Sequence, residues 1–488
     1  MKTKTIVLGA ITLACGLPAL AQSSTSTTNL PAAAPKPAAS AGLLNDWLRT
    51  QSDGFKRWDI GGQFRARYEL HENYAVAGRA GAVDFGGSAV DNDNDYFLTR
   101  TKIHIGYSPA DWFTVFVEGR HSTASGDERN PSPDRDTADL HQAYLKFGDA
   151  KKIPVTLKVG RQELAYGDER LVGALDWGNV GRVFDAVKLR YENLDVWVDA
   201  FVSHVVMVWD DHFNKENHAD FFSGIYASTK TLIPKQETQI YFLARNVSSG
   251  SPTIIGAGQP ALLTGASPRD IYTFGFRVKS LPGQFHGWDY EAELAGQLGD
   301  FKATAASPSL DQRAFAAHVA GGYTWEKSWG MPRVGLEYNF ASGDGNSTDG
   351  THGTFDNLFP TNHKFYGFMD FVSLQNIHNV RLATSLKPSS KLTLTADYHA
   401  FWLADTHDNF YQVNGAPRNT GGYGINSGAG SFVGTELDII ATYVIKPHAT
   451  LQAGYGHFFV GDYVKNSLAA SGGSKDANFF YAQMTFNF

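Results

Sequence analysis

Arg65 and Arg67 stand two residues apart, and Phe64, Ala66, Tyr68 and Leu70 take the alternate positions. A guanidinium group is always charged, is weakly hydrated and can grip a carboxylate with two parallel hydrogen bonds. The same alternation sets Arg100, Lys102, Arg120, Lys158, Lys188, Arg190, Arg245, Arg277 and Lys279 on one side of extended segments, against only Glu69, Glu118, Asp195 and Asp199. After residue 288 the sign reverses: Asp289, Glu291, Glu293, Glu337, Asp397, Glu436 and Asp438 face Arg333 and Arg381. If all these side chains point into one aqueous interior, one wall is basic and the opposite wall acidic. A basic wall suits carboxylate-bearing solutes, whereas a field between opposed walls suits zwitterions and small solutes. Arg161, Arg170 and Arg182 lie on or beside a long connection over 164–181, near Asp168, Glu169, Asp176 and Asp185. That connection either brings guanidinium groups to a constriction or is held in place by Arg–Asp pairs.

Other chemistries find less support. Asp91-Asn92-Asp93-Asn94-Asp95 offers oxygen ligands at alternate positions, but Tyr96 stands where a calcium loop needs Gly and Lys102 where it needs Glu. The sixteen histidines show no H-E-x-x-H spacing. No G-x-S-x-G elbow occurs, and nothing ties His318 or His399 to a serine. The glycines around Gly424 follow no phosphate-loop pattern. Neither an enzyme nor a resident cofactor or metal is expected. A net charge of −7 argues against an overall basic nucleic-acid binder.

The elements that must carry these charges are strands. Residues 478–488 read N-F-F-Y-A-Q-M-T-F-N-F and alternate throughout: Phe480, Ala482, Met484, Phe486 and Phe488 share one face. Eleven residues suit a tilted strand crossing a bilayer, which needs about 9–11. Similar segments recur near 63–70, 98–107, 112–121, 138–147, 154–163, 182–191, 194–203, 221–230, 237–246, 271–279, 288–297, 313–324, 332–340, 377–386, 391–401, 432–443 and 449–458. The total is about eighteen. Short connections with turn residues alternate with long polar ones at 71–95, 121–137, 164–181, 204–220, 247–270, 298–312, 341–376, 402–431 and 459–477. That rhythm predicts an all-β transmembrane antiparallel barrel with short periplasmic turns, long extracellular loops and both termini periplasmic. The 33 Phe, 10 Trp, 21 Tyr and 50 Gly fit aromatic girdles, and no apolar run reaches the length of a membrane helix.

Residues 1–21 carry a signal-peptide pattern, with Lys2 and Lys4, an apolar run and Ala19-Leu20-Ala21 before Gln22. Cleavage there removes Cys15, the only cysteine, which could alternatively accept a lipid, although Thr12 sits where that signal wants Leu. Residues 22–58 read as an Ala/Pro-rich periplasmic linker with a possible short helix from residue 43, and 59–488 as the barrel.

Between residues 158 and 191 the chain reads K-V-G-R-Q-E-L-A-Y-G-D-E-R-L-V-G-A-L-D-W-G-N-V-G-R-V-F-D-A-V-K-L-R-Y. Its Gly160-Arg161-Gln162, Gly167-Asp168-Glu169-Arg170, Asp176-Trp177 with Asn179, and Gly181-Arg182 with Phe184-Asp185 resemble the alginate export family of outer-membrane porins. Arg65, Arg67 and Thr99-Arg100 fit as well. The resemblance implies an eighteen-stranded barrel in the bacterial outer membrane, passing an anionic polyuronate through an arginine-lined conduit. Pore-lining residues would then be Arg65, Arg67, Arg100, Lys102, Arg120, Arg161, Arg170, Arg182, Arg190, Arg245, Arg277, Arg333 and Arg381. The implied partners are an anionic oligo- or polysaccharide, the lipid bilayer with lipopolysaccharide, and periplasmic export or uptake components. A general or small-solute porin remains the alternative, as does a barrel whose outer loops serve adhesion.

Overall fold

A computed structural model describes residues 42–87, 90–210, 213–249, 254–255, 259–260 and 267–488. The signal peptide expected over 1–21 and the linker up to residue 41 lie outside them. The first nine barrel strands are β1 (Trp58–Glu72), β2 (Asn94–Ala110), β3 (Phe113–Ser125), β4 (Asp136–Phe147), β5 (Val155–Gln162), β6 (Phe184–Glu192), β7 (Val196–Met207), β8 (Lys215–Thr229) and β9 (Gln236–Val247). The other nine are β10 (Arg269–Ser280), β11 (Trp288–Phe301), β12 (Leu310–Thr324), β13 (Arg333–Ala341), β14 (Ile377–Leu386), β15 (Leu392–Leu403), β16 (Phe432–Lys446), β17 (Ala449–Val460) and β18 (Ala477–Asn487). Each pairs antiparallel with its sequence neighbours, and β1 also pairs with β18 from Gln63↔Asn487 to Glu72↔Asn478, which closes an eighteen-stranded barrel. A short helix, α1 (Leu43–Gln51), precedes β1, and a second, α2 (Asp462–Leu468), follows β17.

The amide N–H groups of Gly62 and Phe488 each donate to the other's carbonyl, both at 2.9 Å. A Cβ at residue 62 would fall 2.2 Å from the Lys102 carbonyl and 2.6 Å from the Phe488 ring, so only glycine lets the last residue lie over the first strand.

Period-two alternation produces an inside-out burial pattern. On β2, Ile103 and Ile105 are 55% and 52% exposed on the outer face, while Lys102 and His104 at the alternate positions are buried. Arg67, Arg100 and Arg277 are among the largest fully buried side chains. Lipid takes the role that a core plays for the outer apolar residues. Aromatic rings band both ends of the wall. Trp58–Tyr107 and Trp288–Tyr323 lie toward the short turns, and Phe315–Phe340, Phe340–His378 and Trp402–Phe432 toward the long loops.

Connections at one end run from two residues (111–112) to eight (325–332), and those at the other reach thirty-five (342–376). Several expected loops are shorter than the alternation suggested. β7 runs to Met207 and β8 starts at Lys215, so most of 204–220 is strand rather than loop. Lys215 and His218 there are exposed and continue the ladder beyond the apolar band, whereas Asn217 and Asp220 are buried on the other face.

The long loops fold inward. Phe85 packs on Phe371 and Phe458 with ring centroids at 4.3 and 4.8 Å, and Phe401, Val433, Tyr463 and Leu468 join the same buried cluster. The hydrophobic core of this protein therefore lies inside the barrel toward its long-loop end.

Candidate lumen site

The connection between β5 and β6, residues 163–183, leaves the rim and reaches both walls of the lumen. Its turn over 176–180 presents carbonyl groups that no strand can pair, and buried carbonyls need donors. Guanidinium groups with five N–H donors supply them. Arg65 donates to the carbonyls of Asp176 and Gly178 at 2.7 and 3.0 Å, and Arg67 donates to that of Trp177 at 2.9 Å while lying 3.9 Å over its ring. Arg100 donates to the Asp176 carbonyl at 3.0 Å and ion-pairs with its carboxylate at 3.0 Å. Lys102 meets the same carboxylate at 3.2 Å. Arg120 donates to the Val180 carbonyl and pairs with Asp136.

The other flank of the loop carries complementary charges to the far wall. Arg170 donates to Asn339 at 3.0 Å and to the Tyr366 hydroxyl at 3.1 Å, with Glu337 at 3.5 Å and Glu293 at 3.7 Å. Asp168 sits between Arg277 at 2.8 Å and Lys279 at 2.7 Å. The segment is a crossbar whose acid answers the basic wall and whose arginine answers the acidic wall.

A second inward loop, 342–376, braces it. Phe359 N–H donates to the Leu171 carbonyl at 3.0 Å, Gly173 N–H to that of Phe359 at 2.8 Å, and Thr361 N–H to that of Glu169 at 2.9 Å. Val172 and Phe359 form a parallel bridge. A Cβ at residue 173 would lie 2.2 Å from Thr361 Oγ1, so the close approach requires glycine. Arg182 donates to the carbonyls of Phe359 and Pro360 at 2.6 and 2.9 Å, and Lys364 pairs with Glu169 at 2.6 Å.

These contacts set the protonation of the loop's own groups. The Asp176 side chain stays 61% exposed, so the surrounding protein raises its carboxyl only weakly, and Arg100, Lys102 and Arg65 hold the group below the usual carboxylate range. Burial likewise opposes ionisation of Glu163, and the hydrogen bond from His141 with the charge of Lys102 brings it down to about 2. Burial and nearby Arg245 push Arg182 down to about 10, which leaves it protonated at neutral pH.

The remaining candidate residues are also paired. Arg161 grips Asp185 at 2.8 and 3.0 Å, Arg190 grips Asp199 at 2.5 and 3.0 Å, and Arg333 grips Asp289 at 2.8 and 2.5 Å. Arg245 bridges Asp220 and Asp356, Arg277 meets Glu291 at 2.8 Å, and Arg381 bridges Glu337 and Asp397.

Two expectations need correction. A basic wall of water-facing Arg65, Arg67 and Arg100 does not form, because the crossbar covers them and leaves them 4%, 2% and 1% exposed. Asp195 is not a lumen acid; it lies in the turn between β6 and β7. The run from Asp91 to Asp95 disperses its oxygens: Asp91 accepts from Asp93 N–H, Asp93 from Asn73 N–H, and Asp95 from the Tyr68 hydroxyl. Among the described residues no three metal-ligating side chains cluster.

The structure also brings forward a residue that the charge pattern omitted. Lys146 is two positions beyond Tyr144, whose ring lies under Lys158 Nζ at 3.6 Å, so both lysines face the lumen. Lys146, Lys158 and Lys188 are direct cross-strand partners on β4, β5 and β6, toward the short-turn end. Lys188 lies 3.4 Å from Asp199, whereas Lys146 and Lys158 have no carboxylate within ion-pair distance among the described residues. Alternation could have revealed Lys146, but β-bulges at Glu118/Gly119 and Arg120/Ser122 break the period beside it.

Among solved structures, the barrel is similar to three proteins of Pseudomonas aeruginosa. OccD3 (OpdP) matches with a TM-score of 0.56 and 12% identity over 88% of this chain and 91% of that one. OccK2 (OpdF), solved in complex with glucuronate, matches with 0.52 and 12% over 88% and 98%. OccK11 (OpdR) matches with 0.51 and 13% over 89% and 96%. At such identities the likeness shows the fold alone. No curated protein matches this chain. The family model described as alginate export matches residues 56–477, which takes in the whole wall up to the start of β18, the crossbar and its arginine partners. The chain is an outer-membrane channel barrel that belongs to the alginate export family.

Proposed function

We propose that the channel passes an anionic oligo- or polysaccharide of the alginate-like polyuronate class. The observation that carries this reading is the Lys146–Lys158–Lys188 row. Like charges directly opposite one another on neighbouring strands are destabilising, and two of these three have no counter-ion among the described residues. An anionic solute supplies one. Arg190, beside the row on β6, and Arg333 and Arg381 on β13 and β14, whose side chains are 27%, 30% and 19% exposed, add partly hydrated contacts. Arg65, Arg67, Arg100, Lys102, Arg120, Arg161, Arg170, Arg182, Arg245 and Arg277 act on the solute indirectly, by fixing the loops that shape the passage. A moving polymer needs many weak contacts rather than one tight site. The glucuronate bound to OccK2, a barrel of the same build, accords with a uronate cargo.

In this reading both termini are periplasmic, residues 1–21 are removed on export, and 22–58 link to periplasmic components. The paired charges on opposite walls favour a second reading, a small-solute porin without saccharide specificity. Single-channel recording with added uronate oligomers separates the two. Block at low oligomer concentration, abolished by Lys146→Gln with Lys158→Gln, is the expected result; conductance indifferent to oligomers would favour the porin.

A further inference from the structure

On the outer wall, at the aromatic band of the long-loop end, lies a concavity of about 650 Å³. Its floor is apolar: Val380 and Tyr338 are 42% and 37% exposed and continue the lipid-facing surface of β13 and β14. Trp402 and His378, cross-strand partners, form its back. Its upper rim is polar, with Asp405 and His407.

The rim is preformed. Asn376, fully buried, donates to the Asp405 carbonyl at 2.9 Å and accepts from Asp405 N–H at 2.7 Å. Asp405 in turn orients His407 by accepting from its N–H at 2.8 Å, with the imidazole Nδ1 at 3.1 Å. Tyr338 hydroxyl holds the His378 ring at 2.7 Å through Nδ1. Both imidazoles thus have one nitrogen engaged and the other free to donate to or accept from a ligand.

We propose that this concavity binds one lipid with a saccharide head group, drawn from the leaflet at the long-loop end. The apolar floor is continuous with the bilayer-facing wall, so an acyl chain reaches it without leaving the membrane. The rim mixes an acceptor carboxylate, two imidazoles and an indole face at interfacial depth, where Trp and Tyr are at home. Sugar hydroxyls donate and accept, and so satisfy that set. Glycerophospholipid head groups offer fewer hydroxyls to that set. This site lies outside the lumen and is independent of the solute reading.

The test uses the full mature chain in detergent, equilibrated with equal amounts of lipid A, phosphatidylethanolamine and phosphatidylglycerol, and native mass spectrometry to count retained lipids. One lipid A per chain is expected in preference to either phospholipid. Trp402→Ala and His378→Ala should each lower that retention about tenfold, and Trp288→Ala, in the band at the opposite end, should not. Heat-modifiable mobility on gels verifies that each variant is folded. Equal retention of the three lipids, or retention untouched by Trp402→Ala and His378→Ala in folded protein, overturns the proposal.

Discussion

Arg100 and Asp176 meet at 3.0 Å, although one is a fully buried residue of the wall and the other sits at the tip of a loop from the far side of β5. The pair joins the barrel to the segment that crosses it, and the two partners have unequal stakes. Asp176 keeps a side chain 61% exposed, so water can replace what it loses. Arg100 has no such recourse.

Replacing Asp176 with Asn keeps the carbonyl contacts of Arg100 but removes its carboxylate partner, and should cost on the order of 2 kcal/mol. Arg100→Ala should cost more, roughly 3 kcal/mol, because a large buried side chain is lost, Gln63 loses its donor and the crossbar carbonyls keep only Arg65. Both variants should widen the passage. Denaturant unfolding and single-channel conductance in planar bilayers measure the two effects, and unchanged conductance in both would argue against a crossbar that limits flow.

Acid should release the crossbar. A carboxylate held below its ordinary value adds stability above the unfolded pKa, about 4.3 for Glu, and loses it as pH falls through the folded one. For Glu163 the window runs from there down to about 2, and Asp176 shifts in the same direction. Conductance should be steady from neutral pH to about 4.5 and rise or become noisy below. A transition centred near neutrality would assign the change to other groups.

Glu436 and Asp438 lie on one face of β16, 0% and 2% exposed, and accept the amides of Met369 and Phe368 at 2.8 and 3.2 Å. Their other oxygens are buried and turn toward each other. Two buried carboxyl groups side by side, with no ion-pair partner among the described residues, are a weak arrangement, and neutral replacements at such sites are often stabilising. Asp438→Asn retains the acceptor for Phe368 and adds a donor toward Glu436. The variant should unfold about 1 kcal/mol later in a denaturant series, and a loss of similar size would show that both charges are needed.

Lumen selectivity should follow the lysines rather than the first arginines. Lys146→Glu with Lys158→Glu should lower the anion preference, read from reversal potentials under a salt gradient, with assembly intact. Arg65→Glu with Arg67→Glu should instead impair assembly, since both guanidinium groups are buried against loop carbonyls. The opposite outcome, normal assembly with lost selectivity, would return the arginines to the solute path.

The wall was legible from the chain because alternation is local: 377–386 and β14 coincide, and 478–488 differs from β18 by one residue at each end. Alternation also placed Arg65, Arg67 and Arg100 on the inner face. It carried no word of what covers them, because the partners of Arg65 are more than a hundred residues away in sequence. The pairing of Phe359 with Leu171 is equally non-local, and neither segment has a period to read. Lys146 was hidden for a different reason, a bulge that shifts the count by one.

A sheet rolled into a cylinder one layer thick resists stretching along its hydrogen bonds far better than it resists being squashed into an oval. The segment over 163–183 is fastened to β1–β3 at one end of a diameter and to β10–β13 at the other, so it works as a tie rod against that deformation. Lateral pressure from a crowded bilayer would then be carried by a few ion pairs in the middle of the tube. The roundness of the opening, and not only its width, would depend on their holding.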